Sequence, residues 1–274
     1  MRVRTAVWLA VGLVAAGGAV GGARQLAGRR AEAALFRPVP AAGTTPAAAG
    51  LAFRALRIPS GDRQLAAWLV PAPDSARSAV LFFHGNGSSL ADQVPLLAVL
   101  VKHGVTAMAF DYSGYGTSGG APSVAHLRED AIAAVRAFTD STPGLAHYAL
   151  GTTLGAAVML SAVDSIGPML DGVILVGAFA TARDAAVRAG KVPRAFAWLL
   201  PDWYDNVDAI ARLRRPVLIE HSVADSLVPI RDAERLLGAA GGAKQLVRLT
   251  EGDHASYLST NADWIPILRF IGAR

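Results

Sequence analysis

Three residues of this chain have the types, and the loop positions, that acyl-transfer chemistry requires: Thr153, Asp225 and His254. Gly151-Thr152-Thr153-Leu154-Gly155 follows an apolar run ending at Leu150 and precedes a helix-like stretch from Ala156 to Ile166. A strand, a tight glycine-flanked turn and a helix in that order expose the central side chain, here the Thr153 hydroxyl. His254 follows the last apolar run, in Glu251-Gly252-Asp253-His254, where it would take the hydroxyl proton and return it to a leaving group. Asp225, in the loop after Val217 to Glu220, would hold the imidazole tautomer and stabilise the imidazolium. Asp253 is a competing acid, but its place beside the histidine reads as a loop cap.

A developing oxyanion needs donors. His84-Gly85-Asn86-Gly87 directly follows the apolar run Val80 to Phe83, and its glycines let backbone N–H groups turn toward a substrate oxygen. The Asn86 and Leu154 amides are therefore the expected oxyanion hole. Ser88, Ser89 and Ser113 lie in other loops and offer no substitute nucleophile. No HExxH spacing occurs, so neither a metal nor another cofactor is expected.

Residues so far apart in the chain meet only if the intervening elements bring loop ends to one edge of a sheet. From Leu51 onward short apolar runs alternate with helix-period segments, the pattern of a mostly parallel sheet covered on both faces. Residues 53–58 and 64–70 flank Ser60-Gly61-Asp62 and read as an antiparallel hairpin at the sheet edge. Val80 to Phe83, Val105 to Phe110, Val173 to Val176 and Val217 to Ile219 are near-continuous apolar runs, as expected of strands buried on both faces. Ala146 to Leu150 and Leu246 to Leu249 are weaker strands. Leu127, Ala131, Val135 and Phe138 recur at helical spacing, with Arg128, Glu129, Asp130 and Arg136 available for the outer face. About forty residues between Val176 and Pro216 leave room for a small lid only, in which Trp198 and Trp203 read as core.

Composition sets the limits. With 274 residues and 53% hydrophobic content the chain fits one sizeable domain, placed at 51–274. The formal charge is +5, yet Arg2, Arg4, Arg24, Arg29 and Arg30 precede the first acid, Glu32, and the remainder is neutral. No basic face for nucleic acid is expected. Zero cysteines exclude disulfides, thiolate metal sites and cysteine nucleophiles. Thr5 to Ala23 is uncharged and apolar, and residues 1–30 read either as a signal peptide, with Gly21 and Ala23 resembling a cleavage site, or as a membrane anchor near the ~20 residues a spanning helix needs. A membrane-anchored or exported chain is the expectation, with arginines on both sides leaving orientation open. Residues 31–50, rich in Ala and Pro, read as a linker with partial docking.

Together the motifs resemble the α/β-hydrolase superfamily, and within it the membrane-anchored abhydrolase-domain group of serine hydrolases. LFRP at Leu35 to Pro38, FFHGNG at Phe82 to Gly87, DYSGYGTSGGAPS at Asp111 to Ser123 and the stretch Asp205 to Pro229 carry the likeness, which covers most of the chain. It implies the α/β-hydrolase fold with a small lid, and hydrolysis of esters or thioesters on small-molecule or lipid-like acyl substrates through an acyl-enzyme. Two positions depart from the pattern. Ser113 stands where the family usually has arginine, and Thr153 where it usually has the nucleophilic serine. A β-branched residue suits a strained elbow poorly, so a non-catalytic binding or scaffold protein is the alternative.

Overall fold

The structure is a computed structural model and describes residues 22, 24–28, 30–32, 34–41, 43–73 and 76–273. Eight strands make one sheet: β1 (Arg54–Ser60), β2 (Arg63–Val70), β3 (Ser78–Phe83), β4 (Thr106–Phe110), β5 (Ala146–Thr152), β6 (Gly172–Val176), β7 (Val217–Ser222) and β8 (Lys244–Leu249). Their spatial order is β1-β2-β4-β3-β5-β6-β7-β8. The β1–β2 hairpin is antiparallel and sits at one edge, β2 runs antiparallel to β4, and every other neighbouring pair is parallel.

Period-2 alternation splits the core in two. Leu81, Phe83, Ala149, Leu175 and Ile219 point to one face, covered by α2 (Val124–Ser141), α3 (Leu154–Ser161), α6 (Asn206–Arg212) and α7 (Ile230–Ala239). Val80, Phe82, Leu150, Ile174 and Leu218 point to the other, covered by α1 (Val94–Lys102) and α8 (Asn261–Phe270). Strands buried on both faces have no polar side to show, which is why β3, β4 and β6 are apolar runs. Two further short helices are α4 (Val163–Ile166) and α5 (Ala182–Arg188); α5 and α6 flank a 3₁₀ turn, Arg194–Leu199, in the small lid between β6 and β7.

Some expectations need correction. No helix among the described residues is long and apolar enough to cross a membrane, and this overturns the expected membrane-anchored or exported placement. The segment on which it rested, Thr5 to Ala23, lies outside the described residues apart from Gly22. Asp130, read as an outer-face residue of α2, is fully buried. It accepts from Ser60 Oγ at 2.7 Å and from the Ser113 backbone N–H at 2.8 Å, while the Arg63 guanidinium lies 3.7 Å away. Arg63 Nε also donates to Ser113 Oγ at 2.9 Å. A guanidinium from β2 thus stands beside Ser113, the position where the family pattern has an arginine. Trp203 packs against the core as expected, but Trp198 is half exposed.

Glu220 is the outlier of β7. Its side chain is fully buried, and neither carboxyl oxygen has a hydrogen-bond partner among the described residues. Burial, with the Asp263 charge nearby, pushes its carboxyl up to about 8. The folded state therefore holds a proton that the unfolded chain releases near the ordinary glutamate value. Stability from this group is complete below about pH 4.3 and is lost as pH rises toward the folded value, by roughly 1.4 kcal/mol per pH unit. Glu220→Gln is expected to melt with the parent at pH 5 and several degrees above it at pH 8.5, read by circular dichroism.

Candidate active site

Four loops at the carboxyl ends of β3, β5, β7 and β8 converge on one patch. The turn between β5 and α3 is sharp enough to drive Thr153 to φ +47°, ψ −102°, a region a β-branched side chain rarely occupies. Its flanking glycines are required by close approach. A Cβ on Gly151 would lie 2.6 Å from the Ala156 nitrogen, and one on Gly155 would overlap the Phe83 carbonyl and lie 2.8 Å from the His84 oxygen. Backbone cannot yield as a flexible side chain does. Gly155→Ala is expected to cost about 3 kcal/mol or more, read as the denaturation midpoint of whatever soluble protein is recovered.

The structure brings Thr153, His254 and Asp225 together. Thr153 Oγ1 lies 3.0 Å from His254 Nε2, and His254 Nδ1 lies 2.7 Å from Asp225 Oδ2. Burial pushes the Asp225 carboxyl up, but hydrogen bonds from His254, from the Val228 N–H and from Tyr257 outweigh it and hold the carboxyl below the ordinary aspartate value. An ionised carboxylate only accepts, so the imidazole proton sits on Nδ1 and the Nε2 lone pair faces the Thr153 hydroxyl. Thr153 and His254 are partly exposed, whereas Asp225 is buried.

Asp225 is held from all sides. Its Oδ1 accepts from the Leu227 and Val228 N–H groups at 2.9 and 2.7 Å, and its Oδ2 also accepts from Tyr257 Oη at 2.9 Å. The ring of Tyr257 lies against Gly177, whose φ of +59° and missing Cβ make the room. Sequence reasoning missed Tyr257; its place three residues after His254 was the available signal. His221 Nε2 lies 2.7 Å from the Val228 carbonyl oxygen, and burial depresses its basicity, so it anchors the acid loop as a neutral ring. Asp253 spends its carboxylate on the His254 and Ser226 N–H groups and on Ser226 Oγ.

The Asn86 loop ends the neighbouring strand β3. Neither the Asn86 nor the Leu154 backbone N–H has a hydrogen-bond partner among the described residues, which leaves both as available donors. His84 below them is fully buried, and burial lowers its basicity to about 4. Its Nδ1 lies 2.8 Å from the Gly85 oxygen, and Tyr112 Oη donates to the His84 oxygen at 2.9 Å. Among the serines considered, Ser113 is buried on Asp130, while Ser88 and Ser89 donate to Asp92. None of these hydroxyls is hydrogen-bonded to His254.

Two surface cavities lie elsewhere. One of about 480 Å³ is lined by Ile58, Ser60, Ile132 and Arg136, and one of about 220 Å³ by Arg183, Asp202 and Trp203. Neither is lined by Thr153 or His254. Among the described residues no group of three or more His, Asp or Glu side chains could hold a metal ion.

A family model described as "Serine aminopeptidase, S33" matches residues 74–210. The protein YfhR of Salmonella typhimurium is 31% identical over 240 residues, covering 79% of this chain and 78% of the relative. A lysophosphatidylserine lipase of Danio rerio is 27% identical over 199 residues, covering 66% of this chain and 52% of the relative. The solved structure of an esterase from Pyrococcus furiosus superposes with a TM-score of 0.70 at 17% identity, covering 86% of this chain and 96% of that one.

Proposed function

Because the chain belongs to the serine aminopeptidase S33 family of α/β hydrolases, we propose that it cleaves ester or thioester bonds through an acyl-enzyme formed on Thr153. The observation that carries this reading is the Thr153 hydroxyl 3.0 Å from a His254 nitrogen whose other side is tied to Asp225. Thr153 Oγ1 attacks the acyl carbon while its proton passes to His254 Nε2, and the Asn86 and Leu154 N–H groups receive the oxyanion. The leaving alkoxide or thiolate departs with that proton. Water then attacks the acyl-threonine, gives a proton to His254, and releases the acid as the threonine hydroxyl is restored. Asp225 stays ionised throughout and balances the imidazolium.

A partly exposed hydroxyl and imidazole beside a small lid suit an acyl group that projects from a larger body or lies at the end of a flexible chain. The names of the Danio rerio lipase and the Pyrococcus furiosus esterase support ester chemistry over amide cleavage. A second reading, a binding protein that keeps the site without turnover, is favoured by one feature: the β-branched side chain at φ +47°.

The test is turnover of p-nitrophenyl acetate and butyrate together with fluorophosphonate labelling mapped by mass spectrometry. Label on the Thr153 peptide with measurable turnover is expected. Label confined to another residue, or neither label nor turnover, would refute the acyl-enzyme.

A further inference from the structure

Residues 34–40 are drawn across the candidate oxyanion loop. Phe36 is buried in the core and Leu35 packs against it. On either side of that anchor, the Asn86 carboxamide pairs with the strap's backbone: Nδ2 donates to the Leu35 oxygen at 2.7 Å, and Oδ1 accepts from the Arg37 N–H at 2.8 Å. Tyr115, fully buried against His84, donates its hydroxyl to the same Oδ1 at 2.8 Å and accepts from the Arg37 N–H at 3.2 Å. The strap continues into the loop after β4, where the Gly116 N–H donates to the Val39 oxygen at 2.9 Å and Pro40 pairs with Gly116. N-terminal to the strap, Glu32 accepts from the Val124 N–H at 2.8 Å, at the start of α2.

We propose that this strap is a positioning element for the oxyanion loop, acting through the Asn86 carboxamide. The inference rests on the reading of the Asn86 N–H as an oxyanion donor. Asn86 stands between two glycines, Gly85 and Gly87, the latter at φ +73°, so its own side chain is the handle by which the loop is held. With both ends of the carboxamide engaged, the peptide plane that carries the N–H has little freedom to turn. Removing the grip leaves the donor present but unaimed, and an error of about 1 Å in such a group costs about a hundredfold in rate. Phe36 and Asn86 are positioning residues in this scheme, and the strap links chain N-terminal to it with the site.

The test uses the full chain carrying Phe36→Ala, Phe36→Leu or Asn86→Leu, each in the parent and in a Thr153→Ser background. Hydrogen exchange of the 84–89 backbone and the kcat and KM for p-nitrophenyl butyrate are both measured. Phe36→Ala and Asn86→Leu are expected to quicken exchange in that loop about tenfold. They should lower kcat about ten- to hundredfold with KM within about threefold. Phe36→Leu, which keeps an apolar anchor, should restore both. Quickened exchange in the strap without change at 84–89 would overturn the proposal, and so would a loosened loop with unchanged kcat. If neither background turns over, the acyl-transfer reading fails separately, and the exchange result alone decides whether the strap anchors the loop.

Discussion

Thr153→Ser is expected to raise kcat for p-nitrophenyl butyrate by about ten- to hundredfold with little change in KM. The elbow holds residue 153 at φ +47°, ψ −102°, where a side chain branched at Cβ pays in strain, of order 1–3 kcal/mol. Its methyl also limits χ1 and crowds the oxygen as it approaches the acyl carbon. Serine keeps the oxygen within reach of His254 Nε2 and removes both penalties. Since the methyl acts on the angle of attack rather than on binding, the gain should fall on kcat. Thermal stability should rise as well. A silent parent with an active Thr153→Ser would establish an intact frame disabled by one methyl group and would favour the binding reading. A serine variant no faster than an active parent would mean that the threonine is already well placed.

His254→Ala is expected to lower kcat by about 10³-fold or more in whichever background turns over, since no other base among the described residues is hydrogen-bonded to the hydroxyl. Asp225→Asn should cost a similar order for a different reason. The asparagine can keep its oxygen toward the Leu227 and Val228 N–H groups, which turns its NH₂ toward His254 Nδ1. The imidazole must then carry its proton on Nε2, facing Thr153, and can no longer accept one. His254 is partly exposed, so its alanine variant should melt near the parent, and a lost rate with an unchanged melt separates chemistry from folding. Full activity in His254→Ala would end the proposed mechanism.

How much of this was legible depended on whether the information was local. The buried strands announced themselves as apolar runs because each is covered twice, and the hairpin because its turn residues sit between two such runs. The Thr153, Asp225 and His254 loops could be placed because each follows a strand, and strand ends share an edge of a parallel sheet. What escaped was set by partners distant in sequence. Asp130 carries helix spacing suited to solvent, yet it is buried because Arg63 and Ser60, on the far hairpin, come to meet it. The grip of Leu35 and Arg37 on Asn86 spans about fifty residues and leaves no periodic trace. Glu220 continued an apolar run, and nothing in the run foretold a carboxyl with no partner. Trp198 was read as core from its type, but the lid is too small to cover both tryptophans.

The contact between Gly155 and the end of β3 bears on substrate choice. Because the elbow rests directly on the Phe83 and His84 carbonyls, the Leu154 end of the proposed donor pair is fixed to the end of β3. The Asn86 end is held instead by the bonds of its carboxamide to Leu35 and Arg37. In the proposed mechanism such a pair meets only the carbonyl oxygen, which every acyl group shares. Preference among substrates is then expected to lie with the parts that can vary around it: the lid with its exposed Phe196 and Trp198, and the exposed Val223 and Leu227 on either side of Asp225 in the chain. Variants selected for a new acyl chain should therefore accumulate at that periphery and leave the elbow untouched.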